Sequence, residues 1–303
     1  MSKHNDKVTS LGQERTRGTE AERQRAVEAA GLEDLLPIDE HVEEISVGGE
    51  KVRHRGIFLL PNLFTSAALF AGFYAIIAAI NGEFAAAGLA IFFGQLLDGV
   101  DGRVARLTNT QSKFGQEFDS LSDMVTFGLA PAIIMFMWCL SGLGKLGWAV
   151  AFIYVASAAV RLARFNAQAD TADNRYFTGL ASPPAATLIA STVWLGFEYG
   201  YTSATLPAWL IAVMAAQTAM VGFLMVINVR YSSFKGLDFG SRVPVVALLF
   251  FMFILVLIAA YPPQVLFTVA LTYALSGPMI ALYRQLRKPK QPAGEAGSGG
   301  DDQ

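Results

Sequence analysis

Residues 97–106 read Leu97-Asp98-Gly99-Val100-Asp101-Gly102-Arg103-Val104-Ala105-Arg106, and the pattern continues through Gly115 to Asp119 and Asp123. Apolar runs of about 20 residues lie on both sides of it, each long enough to cross a hydrocarbon core of roughly 30 Å. If these runs are helical, the first two aspartates are three residues apart and the last two are four apart, so each pair shares one helix face. The sequence therefore predicts four carboxylates gathered where one membrane helix ends and the next begins.

This concentration of negative charge predicts a metal site. Four neighbouring carboxylates repel one another and are costly to desolvate at the edge of a membrane unless cations bind among them. Two divalent ions would neutralise all four charges, and oxygen-only ligands favour hard ions such as Mg²⁺ or Mn²⁺ over zinc. The predicted ligands of the two ions are Asp98, Asp101, Asp119 and Asp123.

The composition of the chain is that of a membrane protein. Of its 303 residues, 53% are hydrophobic and 16% are charged, and the mean hydropathy is +0.41. The apolar residues come in long continuous runs, which favours helices over barrel strands. We predict an all-α fold, a polytopic membrane helix bundle of about eight transmembrane helices. The predicted spans are roughly 60–80, 84–104, 117–140, 146–166, 183–201, 207–228, 243–260 and 264–284.

The sequence divides into three regions around this bundle. Residues 1–55 form a polar segment in which Thr19-Glu20-Ala21-Glu22 predicts the capped start of a short amphipathic helix that ends before Pro37. Residues 56–288 form the transmembrane domain, and residues 289–303 are predicted to be disordered. A net charge of −2 with no basic patch indicates no nucleic-acid partner.

The distribution of lysine and arginine predicts the orientation of the bundle. Basic residues fall in alternate connections between the predicted spans, and the other set of connections holds only Lys145. Because positive residues in short loops stay on the cytoplasmic side, both termini and the aspartate cluster are expected there. We therefore predict a multi-pass integral membrane protein whose active site opens to the cytoplasm.

Small and basic residues among the aspartates predict a phosphate-bearing ligand. Gly99, Gly102 and Gly115 carry no side chain where a ligand or a neighbouring helix must approach the backbone. Arg106 lies about one turn beyond Gly102, and a guanidinium can hold phosphate oxygens in a planar fork. Metal ions beside an arginine therefore suggest a diphosphate substrate.

The aspartates by themselves are also compatible with three different kinds of protein. A calcium-binding loop would need Glu at the twelfth position counted from Asp98, where the chain has Asn109. A cation transporter could use the same carboxylates as an ion site, although the positions of Arg106 and Gly115 would then have no role. A purely structural membrane scaffold is the third alternative.

The motif Asp98-x-x-Asp101-Gly102-x-x-Ala105-Arg106, eight further residues, then Gly115-x-x-x-Asp119-x-x-x-Asp123 resembles the signature of the CDP-alcohol phosphatidyltransferase family. It spans 26 residues with eight fixed positions, and none departs from the family pattern. The resemblance implies that the four aspartates bind metal and that Asp123 is also the general base. It implies CDP-lipid contacts and, for the whole protein, a homodimer. The implied CDP-lipid contacts are Asn62, Thr65, Gly102, Arg106, Ser112 and Gly115.

Two later segments resemble the phosphatidylserine synthase branch of that family. They are Arg161-Leu162-Ala163-Arg164-Phe165-Asn166 and Phe177-Thr178-Gly179-Leu180-Ala181-Ser182-Pro183-Pro184-Ala185, and the branch usually has proline where Ala181 stands. Arg161 and Arg164 are three residues apart and could bind a carboxylate. We expect these two arginines and Asn166 to contact the acceptor.

The resemblance implies transfer of the phosphatidyl group of CDP-diacylglycerol to the hydroxyl of L-serine, with release of CMP. Three further acceptors used within the family stay open, namely glycerol phosphate, inositol phosphate and choline. A phosphorylated acceptor would need further basic residues near the site, and choline would need an aromatic cage.

The predicted orientation can be tested by cysteine labelling in intact cells. Cysteines placed at Lys113 and Lys235 should resist a membrane-impermeant thiol reagent added outside, whereas a cysteine at Lys145 should react, because only the last lies in a connection poor in positive charge. The reverse pattern would contradict the orientation.

Overall fold

The computed structural model describes residues 42–47, 50–55, 59–108, 112–168, 176–232 and 245–286. These residues belong to two compact units, a small one that holds the residues before Phe58 together with Ser112–Phe114, and a large helical one. The predicted short helix before Pro37 and the predicted disordered tail lie outside the described residues. Both stay predictions.

The small unit contains a β-hairpin that was not predicted from the sequence. Strand β1 (Val42–Val47) pairs antiparallel with β2 (Glu50–Arg55), with Val42 opposite Arg55 and Val47 opposite Glu50. The dipeptide between the strands in the sequence is Gly48-Gly49, which is typical of a two-residue hairpin turn. That signal was available in the sequence, since β-branched residues recur on both sides of it.

The large unit is a helix bundle. The described helices are α1 (Leu59–Ile80), α2 (Phe84–Leu107), α3 (Lys113–Asp123), α4 (Ala130–Trp138), α5 (Lys145–Gln168), α6 (Ser182–Glu198), α7 (Ala208–Val226), α8 (Val245–Ala260) and α9 (Pro262–Leu286). A π-helical turn (Met124–Leu129) joins α3 to α4, and a 3-10 turn (Leu140–Leu143) leads into α5. Because α3, the π-helical turn and α4 run on without a break, they form one rod.

Six helical segments of the described residues are long and apolar enough to cross a membrane. They are α1, α2, the rod from Lys113 to Trp138, α5, α7 and α9. Helices α6 and α8 are shorter, with 17 and 16 residues. Large apolar side chains such as Phe70, Phe152 and Phe223 are exposed along the helices, as expected for surfaces that face lipid. The prediction of an all-α polytopic bundle is confirmed, while the exact count of eight spans stays a prediction.

Small residues allow the first two helices to pack closely. Ala75 of α1 and Ala87 of α2 are completely buried in the core between α1 and α2. Helices in lipid gain little from apolar burial, so close backbone approach between small residues is a main source of their association. The same core continues to α4, α5 and α6 through Trp138, Tyr154 and Ile189.

Two tyrosines replace hydrogen bonds that prolines remove from the helices. Pro131 has no N–H to donate to the carbonyl four residues earlier, and the Tyr154 hydroxyl donates to that carbonyl, on Phe127, at 3.0 Å. Pro278 in α9 likewise has no N–H to donate to the Ala274 carbonyl, and the Tyr231 hydroxyl donates to that carbonyl at 3.1 Å. Each buried tyrosine therefore joins two parts of the bundle by satisfying a backbone group.

A second short ribbon ties the segment after α5 to the end of α7. Strands β3 (Tyr176–Thr178) and β4 (Arg230–Ser232) pair antiparallel, with Phe177 opposite Tyr231. Just beyond β3, the Gly179 N–H donates to the Val229 carbonyl at 2.8 Å. Gly179 has φ of +85°, a left-handed conformation that favours glycine. The ribbon thereby fixes the entry to α6.

The π-helical turn is held against α1 and α2 by close contacts with Thr126. The Thr126 hydroxyl donates to the Ala68 carbonyl at 3.1 Å. A Cβ atom on Gly72 would lie 2.5 Å from Thr126 Oγ1, and one on Gly94 would lie 2.8 Å from Thr126 Cγ2. Both helices need glycine there, because any side chain would push the π-helical turn away.

We predict that Gly72→Ala destabilises the bundle, by about 1–3 kcal/mol, because the added methyl overlaps the Thr126 backbone and side chain. Thermal unfolding of the detergent-purified protein measures the change. Gly142→Ala is the matched control, since a Cβ at Gly142 meets no atom of the described residues within 4 Å. Equal unfolding temperatures for the two variants would contradict the packing argument.

Candidate active site

Three of the four predicted metal ligands meet in the structure. Asp98 lies on α2, and Asp119 and Asp123 lie one turn apart on α3. Each offers a carboxylate oxygen, and these three oxygens all lie within 4.8 Å of one another. The Asp98 carboxylate is within hydrogen-bonding range of both Asp119 and Asp123. The helix faces predicted from the sequence therefore do bring these carboxylates into one cluster.

The chemistry of this aspartate triad fits a divalent cation. Two carboxylates roughly 4 Å apart repel by about 4 kcal/mol at an effective dielectric of about 20, so three ionised groups at this spacing need a positive partner. Asp119 Oδ1 is buried and has no hydrogen-bond partner among the described residues. A buried oxygen without a donor is costly, whereas a metal ion would satisfy it. Three hard oxygen ligands, partly buried, are suited to Mg²⁺ or Mn²⁺.

Asp101 lies beside the triad with its carboxylate engaged by neighbouring groups. It is 5% exposed, Oδ2 accepts a hydrogen bond from the Thr65 hydroxyl at 2.9 Å, and Oδ1 accepts one from the Gly102 N–H at 2.5 Å. Its charge interacts with Asp98 and Asp119, so it adds to the negative potential of the site. Its role as a metal ligand stays a prediction.

Helix α1 holds the two aspartate-bearing helices through Thr65. This residue is 3% exposed, and its hydroxyl donates to Asp101 on α2. Its backbone carbonyl accepts a hydrogen bond from the Ser122 hydroxyl on α3 at 3.2 Å. The family motif implied a contact between Thr65 and the CDP-lipid, whereas the structure gives Thr65 a contact that orients Asp101. Contact with the lipid stays a prediction.

The remaining predicted CDP-lipid residues occupy different environments. Asn62 is buried, and its Nδ2 has no hydrogen-bond partner among the described residues, so it can donate to a ligand. Arg106 is exposed, and its Nε donates to the Gly102 carbonyl at 2.8 Å, which folds the guanidinium back along α2. Gly115 lies near the start of α3. Ser112 belongs to the small unit, and its predicted contact with the CDP-lipid stays a prediction.

The two predicted acceptor arginines have different surroundings. Arg161 on α5 donates from Nη1 to the Ser182 hydroxyl, and it interacts electrostatically with Asp123. Its Nε is buried without a hydrogen-bond partner among the described residues. Arg164 instead donates to the Val226 carbonyl and to Asn228 Oδ1, each at 3.0 Å. Arg161 therefore faces the aspartates, whereas Arg164 fastens α5 to the end of α7.

The third predicted acceptor residue, Asn166, connects α5 to the aspartate-bearing helix α3. Its Nδ2 donates to the Ser120 hydroxyl at 2.9 Å, and Ser120 is the neighbour of Asp119 on α3. Ser182 was not predicted as a site residue, although it stands in the segment 177–185 that resembles the serine branch. The π-helical turn directly after Asp123 was not predicted either, and Pro131 was the available signal for it. Such turns often occur at functional sites.

Comparison with known proteins agrees with this site. Residues 58–198 match the family model for CDP-alcohol phosphatidyltransferase. A Helicobacter pylori protein named CDP-diacylglycerol–serine O-phosphatidyltransferase is 38% identical over 200 residues, which cover 66% of this chain and 83% of that protein. A Mycobacterium tuberculosis protein of the same name is 35% identical over 159 residues, covering 50% of this chain and 55% of that protein. The archaetidylserine synthase of Methanothermobacter thermautotrophicus is 33% identical over 180 residues, covering 59% and 71%.

The chain belongs to the CDP-alcohol phosphatidyltransferase family. It is therefore an integral membrane enzyme, a transferase of phospholipid biosynthesis, and the family prediction made from the aspartate motif is confirmed. Enzymes of this family generally depend on divalent metal ions, which agrees with the chemistry of the aspartate triad. The alternatives of a cation transporter and of a structural scaffold are set aside by this membership.

We predict that Asp98→Asn and Asp119→Asn each weaken Mn²⁺ binding by at least about 10- to 100-fold. Loss of a residue that only hydrogen-bonds to a metal ligand already has an effect of this size, and loss of a ligand itself should have at least as large an effect. Each change removes a charged oxygen ligand from the triad while keeping its shape. Titration of Mn²⁺ followed by electron paramagnetic resonance measures the affinity without turnover. Glu117→Gln is the matched control, because Glu117 is an exposed carboxylate on the same helix. Unchanged Mn²⁺ affinity in both aspartate variants would contradict the metal assignment.

Proposed function

We propose that this enzyme transfers the phosphatidyl group of CDP-diacylglycerol to the hydroxyl of L-serine, giving phosphatidylserine and CMP. The observation that carries the proposal is the placement of Arg161 beside Asp123, with a buried Nε that has no hydrogen-bond partner among the described residues. It puts a carboxylate-binding group next to the candidate base. The names of the relatives, which specify serine as acceptor, support the same reaction.

The aspartates would hold two ions, Mg²⁺ or Mn²⁺, with Asp98, Asp119 and Asp123 as ligands and Asp101 beside them. When bound, such ions neutralise diphosphate charge and polarise phosphoryl oxygens. Asn62 and Arg106 then position the nucleotide end of the lipid, since one offers an amide donor without a partner among the described residues and the other a planar guanidinium. Most of the rate enhancement in phosphoryl transfer comes from such positioning and charge stabilisation.

Asp123 is the proposed general base. The serine oxygen forms a bond to the phosphorus that carries diacylglycerol, and the bond from that phosphorus to the bridging oxygen breaks. CMP leaves with the bridging oxygen and its electron pair, while the hydroxyl proton passes to a carboxylate oxygen of Asp123. Asp123 suits this role because it stands at the end of α3, between the other aspartates and Arg161.

The surroundings of the acceptor arginines favour serine over the alternative acceptors. A phosphorylated alcohol would carry two negative charges and would need several free basic groups. Arg164 already donates to Val226 and Asn228, so of these two arginines it is Arg161 that interacts with Asp123. A quaternary ammonium such as choline would be repelled by Arg161. The carboxylate of serine, by contrast, can pair with the guanidinium of Arg161.

The proposal includes an orientation and an oligomeric state. We propose that the aspartate end of the bundle and both termini face the cytoplasm, on the strength of the lysine and arginine distribution. L-Serine would then enter from the aqueous side, and CDP-diacylglycerol would enter from the surrounding bilayer. The homodimer stays a proposal carried by the resemblance to the family.

Purified enzyme supplied with CDP-diacylglycerol, Mn²⁺ and one labelled acceptor at a time tests the reaction. We expect phosphatidylserine and CMP in equal amounts with L-serine, and little product with glycerol 3-phosphate, inositol phosphate or choline. Faster turnover of any of these three than of serine would refute the proposed acceptor.

The same assay separates the roles of two residues. Asp123→Asn should lower kcat by about 10²–10⁴-fold, the usual contribution of a general base, while CDP-lipid binding is better preserved. Arg106→Lys should instead weaken CDP-lipid binding, because a point charge replaces a planar fork. If bound substrate reacts at the wild-type rate in Asp123→Asn, the assignment of the base is wrong.

A further inference from the structure

The π-helical turn begins directly after Asp123 and changes the helical register of the rod. At its end the Ala130 N–H donates to the Val125 carbonyl, five residues earlier, whereas in an α-helix it would donate to the carbonyl four residues earlier. The turn therefore holds one residue more than a turn of α-helix. Such turns are rare, and many of them lie at functional sites. Its place beside the candidate base indicates that the added residue has a role.

The added residue decides which way Asp123 faces relative to the rest of the rod. Ile134 lies eleven positions after Asp123, which is about three full turns of an α-helix. An uninterrupted helix would therefore place the aspartate on the same face as Ile134, which is completely buried in the core. One added residue turns the two halves of the rod by about 100° relative to each other. The carboxylate can then join Asp98 and Asp119 while Ile134 stays in the core.

Pro131 and Tyr154 together stabilise this register. In an uninterrupted α-helix the residue at position 131 would donate to the Phe127 carbonyl, but proline has no N–H. The Tyr154 hydroxyl on α5 donates to that carbonyl at 3.0 Å, and both Tyr154 and Phe127 are completely buried. A buried carbonyl without a donor is costly, so the tyrosine removes a penalty that the proline creates. The proline thus disfavours the α-helical register, and the tyrosine compensates for the lost hydrogen bond.

Close packing with neighbouring helices holds Tyr154 and the turn in place. A Cβ atom on Gly222 would lie 3.2 Å from Tyr154 Cα, so α7 packs directly on the backbone that carries the tyrosine. The turn itself is bound to α1, where the Ala68 carbonyl accepts the hydrogen bond from the Thr126 hydroxyl. The π-helical turn therefore has a fixed contact with α1 through Thr126 and another with α5 through Tyr154.

We propose that Pro131 and Tyr154 are positioning residues for Asp123, which keep the π-helical register and thereby hold this carboxylate in the aspartate triad. The inference rests on the proposed function, in which Asp123 is a metal ligand and the general base. Both residues act on Asp123 through the backbone of the turn, and neither needs to touch the substrate. A displacement of about 1 Å at a reacting group can lower turnover about 10²-fold, so the register matters for the reaction even though the turn lies outside the triad.

Pro131→Ala tests the proposal, because alanine restores the N–H and favours the α-helical register. We expect the unfolding temperature to equal that of the wild type or to rise, while kcat falls about 10²-fold and the Mn²⁺ affinity falls about 10- to 100-fold. Electron paramagnetic resonance measures the Mn²⁺ affinity without turnover. A residue with a merely structural role would not lower metal affinity while leaving stability unchanged or improved.

A second pair of proline and tyrosine supplies the matched control. Pro278 lies within α9, and the Tyr231 hydroxyl donates to the Ala274 carbonyl at 3.1 Å, as Tyr154 does to Phe127. The α-helix is continuous at that place, and α9 holds none of the three aspartates of the triad. Pro278→Ala should therefore leave kcat and the Mn²⁺ affinity as in the wild type.

Tyr154→Phe separates the contribution of the tyrosine from that of the proline. It leaves the Phe127 carbonyl without the tyrosine donor, so both the unfolding temperature and kcat should fall. In the double variant Tyr154→Phe with Pro131→Ala, the alanine N–H can serve that carbonyl. We therefore expect the unfolding temperature to recover whereas kcat stays low, a non-additive result that is typical of two groups sharing one partner.

Wild-type kcat and wild-type Mn²⁺ affinity in Pro131→Ala would overturn the inference. A fall in the unfolding temperature of Pro131→Ala as large as that of Tyr154→Phe would also overturn it, because the proline would then stabilise the fold instead of disfavouring the α-helical register. Absence of phosphatidylserine formation by the wild type would refute the proposed function instead, and the Mn²⁺ affinities would still test the position of Asp123.

Discussion

Mutual repulsion among Asp98, Asp119 and Asp123 is the constraint on which the site depends. Their oxygens lie within 4.8 Å of one another, in a bundle whose surroundings are apolar. Without a cation this arrangement would be driven apart by charge and by the cost of desolvation. The fold therefore has to hold the backbone of two helices in place while a metal ion or a basic group balances the charge.

Helix α1 supplies much of that restraint without contributing a carboxylate. Thr65 links Asp101 on α2 to Ser122 on α3, and the Ala68 carbonyl holds Thr126 in the π-helical turn. Gly72 lets the helix approach this turn closely. Because Asp123 directly precedes the turn, its position follows from contacts made three residues further along the chain. Close packing of the helices thereby fixes the positions of the aspartates in the site.

The two arginines of α5 contribute differently to the charge balance around Asp123. Arg161 interacts with Asp123, while Arg164, one turn along the same helix, is bound to the end of α7. Both arginines looked alike in the sequence, since each stood near the end of a predicted span. Only tertiary contacts distinguish the guanidinium that interacts with Asp123 from the one that joins α5 to the end of α7.

The sequence by itself determined the class of fold, the family and the aspartate cluster. Apolar length and helical spacing are local properties, so they place α1, α2 and the aspartate faces without knowledge of the rest. Tertiary structure alone decided that Thr65 orients Asp101, that Arg164 donates to the end of α7, and that Arg161 interacts with Asp123. These assignments depend on contacts between residues far apart in the chain, and no periodicity encodes such contacts. The π-helical turn could be inferred from the sequence only in part. Pro131 shows that one backbone N–H is missing, but only the structure shows that the Tyr154 hydroxyl donates in its place.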